Sequence, residues 1–272
     1  MISLIVTDMD GTLLNEKGEL PVDFDEVFQE LKARNIRFAV ASGRQYNRLL
    51  EQFAAYKQDM IFIAENGTLV ACQGEIIDAA PIPTNTMIRL AEAAALLDDA
   101  MYLLCGKKGA YTKKTDNPHI PKYLPEVLEH FSKLTYVNHY DEIDDDLIKF
   151  SMCSYLGADE HLEPLFRDFS EELSIVVSGK HWIDIALPGV DKGSALRSLR
   201  TRFGIPRAEI MAFGDYLNDI QLLDEAGYSY AMANAHPDLA ARARFRIGSN
   251  SENSVFRQIR HLLAHPKEYG ML

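Results

Sequence analysis

The opening stretch of the chain constrains its fold more than any other. Residues from Ile2 to Val6 form an apolar run too short for a helix, and such a run is typical of a strand buried on both faces of a sheet. The run leads into Asp8-Met9-Asp10-Gly11-Thr12. Two carboxylates at the end of a buried strand are unfavourable unless a cation meets them there. Because ligands bind at the carboxyl ends of strands in open α/β sheets, this stretch predicts one side of a divalent-metal site with hard oxygen ligands suited to Mg²⁺.

Length and composition indicate a globular protein with a sizeable core. The chain has 272 residues, of which 47% are hydrophobic and 25% charged, which suits one large domain or two ordinary ones. Its formal net charge of -12 argues against broad nucleic-acid binding, since that requires a basic surface. We therefore expect no nucleic-acid partner, although a metal and a few lysines can still bind a phosphorylated small molecule locally.

The sequence also predicts a cytoplasmic location without membrane association. No apolar run approaches the length of a membrane span, and the N-terminus has no pattern of a secretory signal. The three cysteines, Cys72, Cys105 and Cys153, lie far apart and without CxxC spacing. Such a sparse, odd set fits a reducing compartment with buried thiols.

Alternation of apolar runs with helical periodicity predicts an α/β fold. After the first strand, a segment with helical periodicity precedes each of the next two apolar runs, Ile36–Val40 and Met60–Ala64. Two further apolar runs of strand length occur later in the chain, at Glu209–Phe213 and Tyr228–Met232. Strand–helix–strand repetition at this interval predicts a parallel sheet with right-handed crossovers. A hairpin is predicted around Gln73-Gly74, which separates two short apolar segments.

The pattern changes in the middle of the chain. Two prolines in Ala80–Thr84 make a stiff segment that is a plausible boundary. From about Asn85 to Leu187, helical and strand patterns mix as in an α+β unit inserted into the first domain. Within it, one helix face is predicted from Leu162, Leu165, Phe166 and Phe169.

Each predicted strand of the first domain ends in a short polar cluster, and these ends share one edge of a parallel sheet. The clusters are Asp8/Asp10, Ser42/Gly43, Asn66/Gly67, Gly214/Asp215 and Asn234. Ser42 and the amide of Gly43 can hold phosphate oxygens, while Lys192 can offset charge that develops on a phosphoryl group. Asp215 and Asp219, at the turn into a helix, can complete a Mg²⁺ shell or orient its waters. Asn66 and Arg44 are further candidates for the wall of the site. These residue types suit phosphoryl transfer, in which a carboxylate can attack phosphorus and a second carboxylate can protonate the leaving oxygen.

Four segments resemble the motifs of a known enzyme superfamily. Asp8–Thr12, Ala41–Arg44, Val190–Gly193 and Gly214–Asp219 are similar to motifs I to IV of the haloacid dehalogenase (HAD) superfamily. Their order and wide separation resemble the Cof-type sugar-phosphatase branch, subfamily IIB, in which a large C2-type cap lies between motifs II and III.

The resemblance implies a domain plan and an activity. A Rossmann-like parallel-sheet core would comprise residues 1–82 and 188–272, and an α+β cap that sets substrate specificity would comprise residues 83–187. The implied enzyme is a Mg²⁺-dependent phosphatase, a phosphoric monoester hydrolase. Its substrates would be small phosphorylated metabolites such as sugar phosphates, hydrolysed through an aspartyl-phosphate intermediate.

The resemblance also implies a role for each motif residue. Asp8 matches the nucleophile and Asp10 the general acid/base. The Mg²⁺ ligands would be Asp8, the backbone carbonyl of Asp10, Asp215 and Asp219. The phosphate-binding positions are matched by Ser42, Gly43, Lys192 and Asn218. Tyr216 departs from the small or polar residue of many relatives, which predicts crowding at the site mouth without damage to the chemistry.

Alternative functions are separated by a few residues. A dehalogenase of the same superfamily needs no acid at the position of Asp10, so the presence of Asp10 argues against one. An ion pump needs membrane spans, which the sequence does not predict. A receiver domain would have about half the length of this chain. A phosphomutase needs the same groups and stays open. The alternative of another class is a binding or regulatory protein without activity, which hydrolysis of a generic phosphate ester with Mg²⁺ would exclude.

Overall fold

The structure is a computed structural model that describes residues 1–178 and 180–270. Gly179 of the predicted cap and the last two residues of the predicted core lie outside the described residues. The chain forms two compact units. The core unit comprises Met1–Ser42, Tyr56–Glu75 and the chain from Asp191 onward, and the inserted unit comprises Gly43–Ala55 and Ile76–Val190.

Strands and helices both occur along the whole described chain. The strands are β1 (Leu4–Asp8), β2 (Arg37–Ala41), β3 (Ile61–Ala64), β4 (Leu69–Cys72), β5 (Glu75–Ala79), β6 (Met101–Gly106), β7 (Ala110–Lys113), β8 (Leu134–Val137), β9 (Leu147–Cys153), β10 (Ser174–Val177), β11 (Trp182–Ala186), β12 (Ile210–Gly214), β13 (Tyr228–Ala231) and β14 (Phe245–Arg246). The α-helices are α1 (Phe24–Ala33), α2 (Tyr46–Gln52), α3 (Thr84–Ala94), α4 (Leu124–His130), α5 (Lys192–Phe203), α6 (Ile220–Asp224), α7 (Pro237–Arg242) and α8 (Ser254–Ala264). No helix of the described residues combines the length and the apolar character that crossing a membrane requires.

The core unit is built on a sheet with β1 near its centre. The strand order is β14-β13-β12-β1-β2-β3-β4-β5, and the strands from β14 to β3 run parallel. All five residues of β1 are buried, as expected of a strand covered on both faces. The predicted hairpin is present, with Gln73 and Gly74 at positive φ between β4 and β5. The parallel strands bring their carboxyl ends to one edge, and the predicted α/β class is confirmed.

Helices cover this sheet with aromatic packing. In α1, Phe24 stacks on Phe256 of α8 with ring centroids 5.5 Å apart, and it meets Phe38 of β2 edge-on at 5.9 Å. Such pairs add to the stabilisation that burial of the rings already provides. These contacts hold α1 and α8 against the sheet.

The inserted unit contains a six-stranded sheet in the order β10-β11-β9-β6-β7-β8. Its pairs are antiparallel except for the parallel pair of β7 and β8. One face packs against α3 and the segment Glu163–Phe169, and the other against residues of α4. This mixture agrees with the predicted α+β composition.

One predicted helix of the inserted unit is irregular. Leu162, Phe166 and Phe169 are buried as the pattern indicates, but Glu163–Phe169 forms 3₁₀ turns rather than an α-helix. Pro164 lies in the first turn of this segment, where either kind of helix tolerates its missing N–H. Short 3₁₀ pieces of this kind are common as connectors between other elements.

The two units follow boundaries that differ from the predicted ones. The chain passes between units after Glu75 and after Val190, and the segment Gly43–Ala55 groups with the inserted unit. The assignment of residues 83–187 as a cap for substrate specificity stays a prediction.

Candidate active site

The first candidate residue, Asp8, is the last residue of β1 and is buried. The chain then turns through Met9–Leu13, where Gly11 has a φ of +81°. A Cβ at Gly11 would lie 2.3 Å from Oδ2 of Asp215. Only glycine fits here, because both the backbone conformation and the close carboxylate exclude a side chain. The hydroxyl of Thr12 donates a 2.8 Å hydrogen bond to Oδ1 of Asp215, so this turn joins motif I to motif IV.

Lys192 supplies the cation that a buried strand end with carboxylates requires. Its ammonium lies 2.6 Å from Oδ1 of Asp8 and 2.7 Å from Oδ1 of Asp219. Lys192 is 1% exposed. It is the first residue of α5, whose N-cap Asp191 accepts a 2.7 Å bond from the backbone N–H of Ser194. This cap fixes the start of the helix and with it the direction of the lysine.

Asp219 holds its own turn and the lysine at the same time. Its Oδ2 accepts hydrogen bonds from the backbone N–H of Asp215, at 3.1 Å, and of Tyr216, at 3.3 Å, while its Oδ1 binds Lys192. The side chain is fully buried. Asp219 therefore orders the turn that presents Asp215.

Three carboxylates gather at this edge of the sheet. Asp8, Asp215 and Asp219 each offer one ligand atom, and these atoms lie within 4.8 Å of one another. Three carboxylates against the single ammonium of Lys192 leave an excess of negative charge at a buried place, which a divalent cation would offset. Carboxylate oxygens are also the ligands that hard divalent cations prefer. The donor set fits a divalent metal.

The pKa values of two of these carboxyls reflect the same crowding. Burial, reinforced by the charge of Asp219, raises the pKa of Asp8 well above its ordinary value against the opposing effect of Lys192. Burial also raises the pKa of Asp215 to about 6, although the Thr12 hydrogen bond works in the other direction. Burial would lower the pKa of Lys192, but the charges of Asp219 and Asp8 outweigh it and raise that pKa.

The predicted phosphate-binding residues Ser42 and Asn218 are linked through Asn66. Ser42 is 1% exposed, and its carbonyl accepts a 2.9 Å bond from the N–H of Asn66. The side-chain amide of Asn218 donates to Oδ1 of Asn66 at 3.1 Å. Next to Asn66, a Cβ on Gly67 would lie 2.2 Å from the carbonyl oxygen of Asp191, so this turn packs directly on the start of α5. Gly43 follows Ser42 and is the first residue of the inserted unit.

Asp10 differs from the other predicted carboxylates. It is exposed, and its side chain is not one of the three that could share a metal. The backbone carbonyl of Asp10 is the group predicted to bind the metal. The side-chain carboxyl of Asp10 is the group predicted to act as general acid and base. Both roles stay predictions.

The site region contains residues that the motif pattern does not assign. The Asn234 side chain donates to the carbonyl of Gly11 at 2.8 Å, and the Asn250 side chain donates to the carbonyl of Leu14 at 2.8 Å. Both hold the backbone that follows Asp8. The strand-end pattern of the sequence includes Asn234, whereas no pattern in the sequence indicates a role for Asn250.

Known proteins resemble this chain over nearly its whole length. A family model described as haloacid dehalogenase-like hydrolase matches residues 5–259. A 5-amino-6-(5-phospho-D-ribitylamino)uracil phosphatase of Escherichia coli is 34% identical over 270 residues, with 97% of each chain covered. The HMP-PP phosphatase of Cronobacter sakazakii is 26% identical and covers 98% of this chain and 97% of its own.

Solved structures agree with these relatives. The crystal structure of SMU.1108c from Streptococcus mutans matches with a TM-score of 0.84 and 31% identity, covering 97% of this chain and 100% of the other. A protein from Thermotoga maritima matches with a TM-score of 0.82 and 26% identity, covering 96% and 97%. The resemblance drawn from the four motifs is confirmed. The chain belongs to the haloacid dehalogenase-like hydrolase family and is an enzyme of its phosphatase class.

Proposed function

We propose that this phosphatase hydrolyses monoesters of small metabolites with Mg²⁺, through an aspartyl-phosphate on Asp8. The observation that carries the proposal is the buried lysine that contacts two carboxylates, at 2.6 Å from Asp8 and 2.7 Å from Asp219. An anionic nucleophile and an anionic phosphate repel each other. A fixed cation beside the nucleophile offsets that repulsion as charge develops on the phosphoryl oxygens.

The proposed reaction has two steps. The carboxylate of Asp8 attacks phosphorus, the bond from phosphorus to the ester oxygen breaks, and the leaving oxygen takes a proton from Asp10. Asp10 then takes a proton from water, whose oxygen attacks phosphorus and releases inorganic phosphate and the free carboxylate of Asp8. The exposure of Asp10 supports this role, since a group that gives and takes protons must communicate with solvent or substrate.

Mg²⁺ is the metal we propose for the carboxylate cluster. Asp8, Asp215 and Asp219 would hold it, with the backbone carbonyl of Asp10 as the fourth protein group from the motif resemblance. Bound there, it would neutralise charge on the phosphoryl oxygens. Asp219 already binds Lys192 and its own turn, so we propose that it acts partly by orienting Asp215.

The phosphoryl oxygens would be bound by Ser42, Gly43, Lys192 and Asn218. Support comes from Asn66, which connects the carbonyl of Ser42 with the side chain of Asn218. A shared partner gives these two residues fixed positions before a substrate arrives, which favours binding of a group of defined geometry.

The substrate is proposed to be a small phosphorylated metabolite, such as a sugar phosphate, rather than a nucleic acid. Relatives along nearly the whole chain are named for a ribitylaminouracil phosphate and for HMP-PP, both of them small phosphorylated compounds. We propose residues 1–82 and 188–272 as the catalytic core, residues 83–187 as the specificity cap, and the cytoplasm as the location.

The proposal is tested with a panel of phosphate esters, each assayed with and without Mg²⁺. The panel contains sugar phosphates, nucleotides, pyridoxal phosphate and flavin mononucleotide. An acid-quenched reaction treated with borohydride should convert Asp8 to homoserine, because borohydride reduces an acyl phosphate and leaves a free carboxylate unchanged. Mg²⁺-dependent turnover without any homoserine at Asp8 would contradict the covalent step, and no turnover of any ester would contradict the function.

A further inference from the structure

The inserted unit buries a lysine that the proposed reaction does not use. Lys149 lies on β9 and is 1% exposed. Its ammonium is 3.3 Å from Oδ1 of Asp184 on β11 and 5.6 Å from the centre of the Phe131 ring. The same Oδ1 accepts a 2.5 Å bond from the hydroxyl of Ser151. A buried ion pair of this kind contributes little net stability, because desolvation cancels most of the attraction between the charges.

The lysine also reaches the loop that follows β2. Its ammonium donates a 3.3 Å hydrogen bond to the carbonyl oxygen of Gly43. Gly43 and Lys149 both belong to the inserted unit. The carbonyl of Gly43 and the N–H of Arg44 share one planar peptide and point in opposite directions, since no described peptide bond is cis. A cation fixed on this carbonyl restricts rotation of the peptide that follows Gly43. The N–H of Gly43 itself lies on the preceding peptide, whose Ser42 carbonyl accepts the hydrogen bond from Asn66. With both flanking peptides held, Gly43 loses the conformational freedom that a glycine otherwise has.

A second anchor holds the same loop two residues later. The backbone N–H of Gln45 donates to the carbonyl of His130 at 3.1 Å, and its side chain exchanges two hydrogen bonds with the backbone of Lys133, at 3.0 and 3.1 Å. Gln45 is 1% exposed. In contrast, the N–H of Ser42 donates to the carbonyl of Ile63 in the core sheet. Support for the chain thus changes from the core unit to the inserted unit between Ser42 and Gly43.

We propose that Lys149 is a positioning residue for phosphate binding, which it serves by fixing the backbone of Gly43 through the Asp184-anchored ammonium. This inference rests on the proposed function, in which the Gly43 amide binds the phosphoryl group. Lys149 does not touch the substrate in this role. Its effect is on the affinity for phosphate rather than on the nucleophile or the metal, whose residues belong to the core unit.

The test uses the double variant Lys149→Met/Asp184→Leu. Removal of the lysine alone would leave Asp184 buried without its cation, whereas replacing both partners by apolar residues is often neutral for stability. Far-UV circular dichroism and the fluorescence of Trp182, the only tryptophan of the chain, report whether the variant is folded. Lys122→Met is the matched control, since its ammonium also lies over an aromatic ring of the same unit, 4.8 Å from the centre of Tyr123.

The expected result is a rise of about tenfold in KM for p-nitrophenyl phosphate and in the inhibition constant of inorganic phosphate, as for the loss of a hydrogen bond from a charged group. The Mg²⁺ concentration for half activation should not change. A purely structural role would instead lower the active fraction, which reduces kcat and leaves KM and the inhibition constant unchanged. The single variant Lys149→Arg should keep part of the phosphate affinity that the double variant loses. Gln45→Ala, which removes the second anchor of the loop, should also raise the KM and the inhibition constant of phosphate.

The outcomes separate this inference from the proposed function. An unaltered protein that hydrolyses no phosphate ester would overturn the function and this inference together. An active unaltered protein whose folded double variant keeps its KM and its phosphate inhibition constant within twofold would overturn the role of Lys149 alone. A rise of the Mg²⁺ requirement in place of the phosphate constants would also overturn it.

Discussion

The substitution Lys192→Met tests the electrostatics of the site in the metal-free protein. Methionine keeps most of the volume of the lysine stem and removes its charge. Asp8 and Asp219 would then stay buried without the ammonium that lies 2.6 and 2.7 Å from them. Removing one partner from a buried ion pair typically costs about 3–5 kcal/mol, because the remaining charge is uncompensated. We expect a loss of unfolding free energy in this range at pH 7.

A matched control has the same substitution and the same distance but a different exposure. Lys32 lies 2.6 Å from Asp59, with side chains 40% and 42% exposed, whereas the side chains of Lys192 and Asp8 are 1% and 9% exposed. An exposed pair contributes only about 0.2–1 kcal/mol. Lys32→Met should therefore lower the unfolding free energy by no more than about 1 kcal/mol.

The assay must report the core unit separately from the inserted unit. Trp182 lies in the inserted unit, so tryptophan fluorescence would follow that unit instead. Hydrogen exchange of peptides from β1 and β12, measured along a urea series, gives the stability of the central strands themselves. Saturating Mg²⁺ should recover part of the loss, since the three carboxylates remain. Equal losses in the two variants, or no recovery with Mg²⁺, would refute the reasoning.

Three further predictions follow from the same geometry. Asp8→Asn should abolish turnover while the fold is kept, since the attacking carboxylate is lost without a change of shape; steady-state rates within about tenfold of the unaltered enzyme would contradict this. Exhaustive chelation should stop hydrolysis and Mg²⁺ should restore it, while Ca²⁺ should inhibit because it prefers more ligands at longer distances; full activity after chelation would refute the metal requirement. Gly11→Ala should weaken metal binding, measured by calorimetry, by at least about tenfold, as for other residues that orient metal ligands, because its Cβ would lie 2.3 Å from the Asp215 carboxylate. Gly18→Ala, at a φ of +73° with nothing within 4 Å, is the control with backbone strain alone, and an equal effect of both would refute the steric argument.

The strand ends of the core could be predicted because they combine two strong signals. A short apolar run identifies a buried strand, and a carboxylate or amide directly after it has no packing reason to be there. Asp8 and Asp215 both follow this rule. The parallel arrangement then brings them together, so local patterns were enough to predict a joint site from residues far apart in the chain.

Other features depend on contacts that leave no local trace. Asn250 binds the backbone of Leu14, which is 236 positions away, and nothing around either residue indicates the pair. The segment Gly43–Ala55 reads as a normal continuation of β2 into a helix, yet its anchors lie at Lys149 and near Lys133. Hydrogen bonds to residues far along the chain connect this segment to the inserted unit, and periodicity carries no information about them.

Lys149 interrupts the apolar pattern of β9, and this interruption indicates that polar partners lie nearby. A lysine in the middle of a strand whose seven residues are all buried breaks the apolar run, and by size and charge it needs an anionic partner and an acceptor. Asp184 supplies the first and the Gly43 carbonyl the second. If Lys149 positions Gly43 as proposed, we expect substitutions of Lys149 or Asp184 to change the affinity for phosphate.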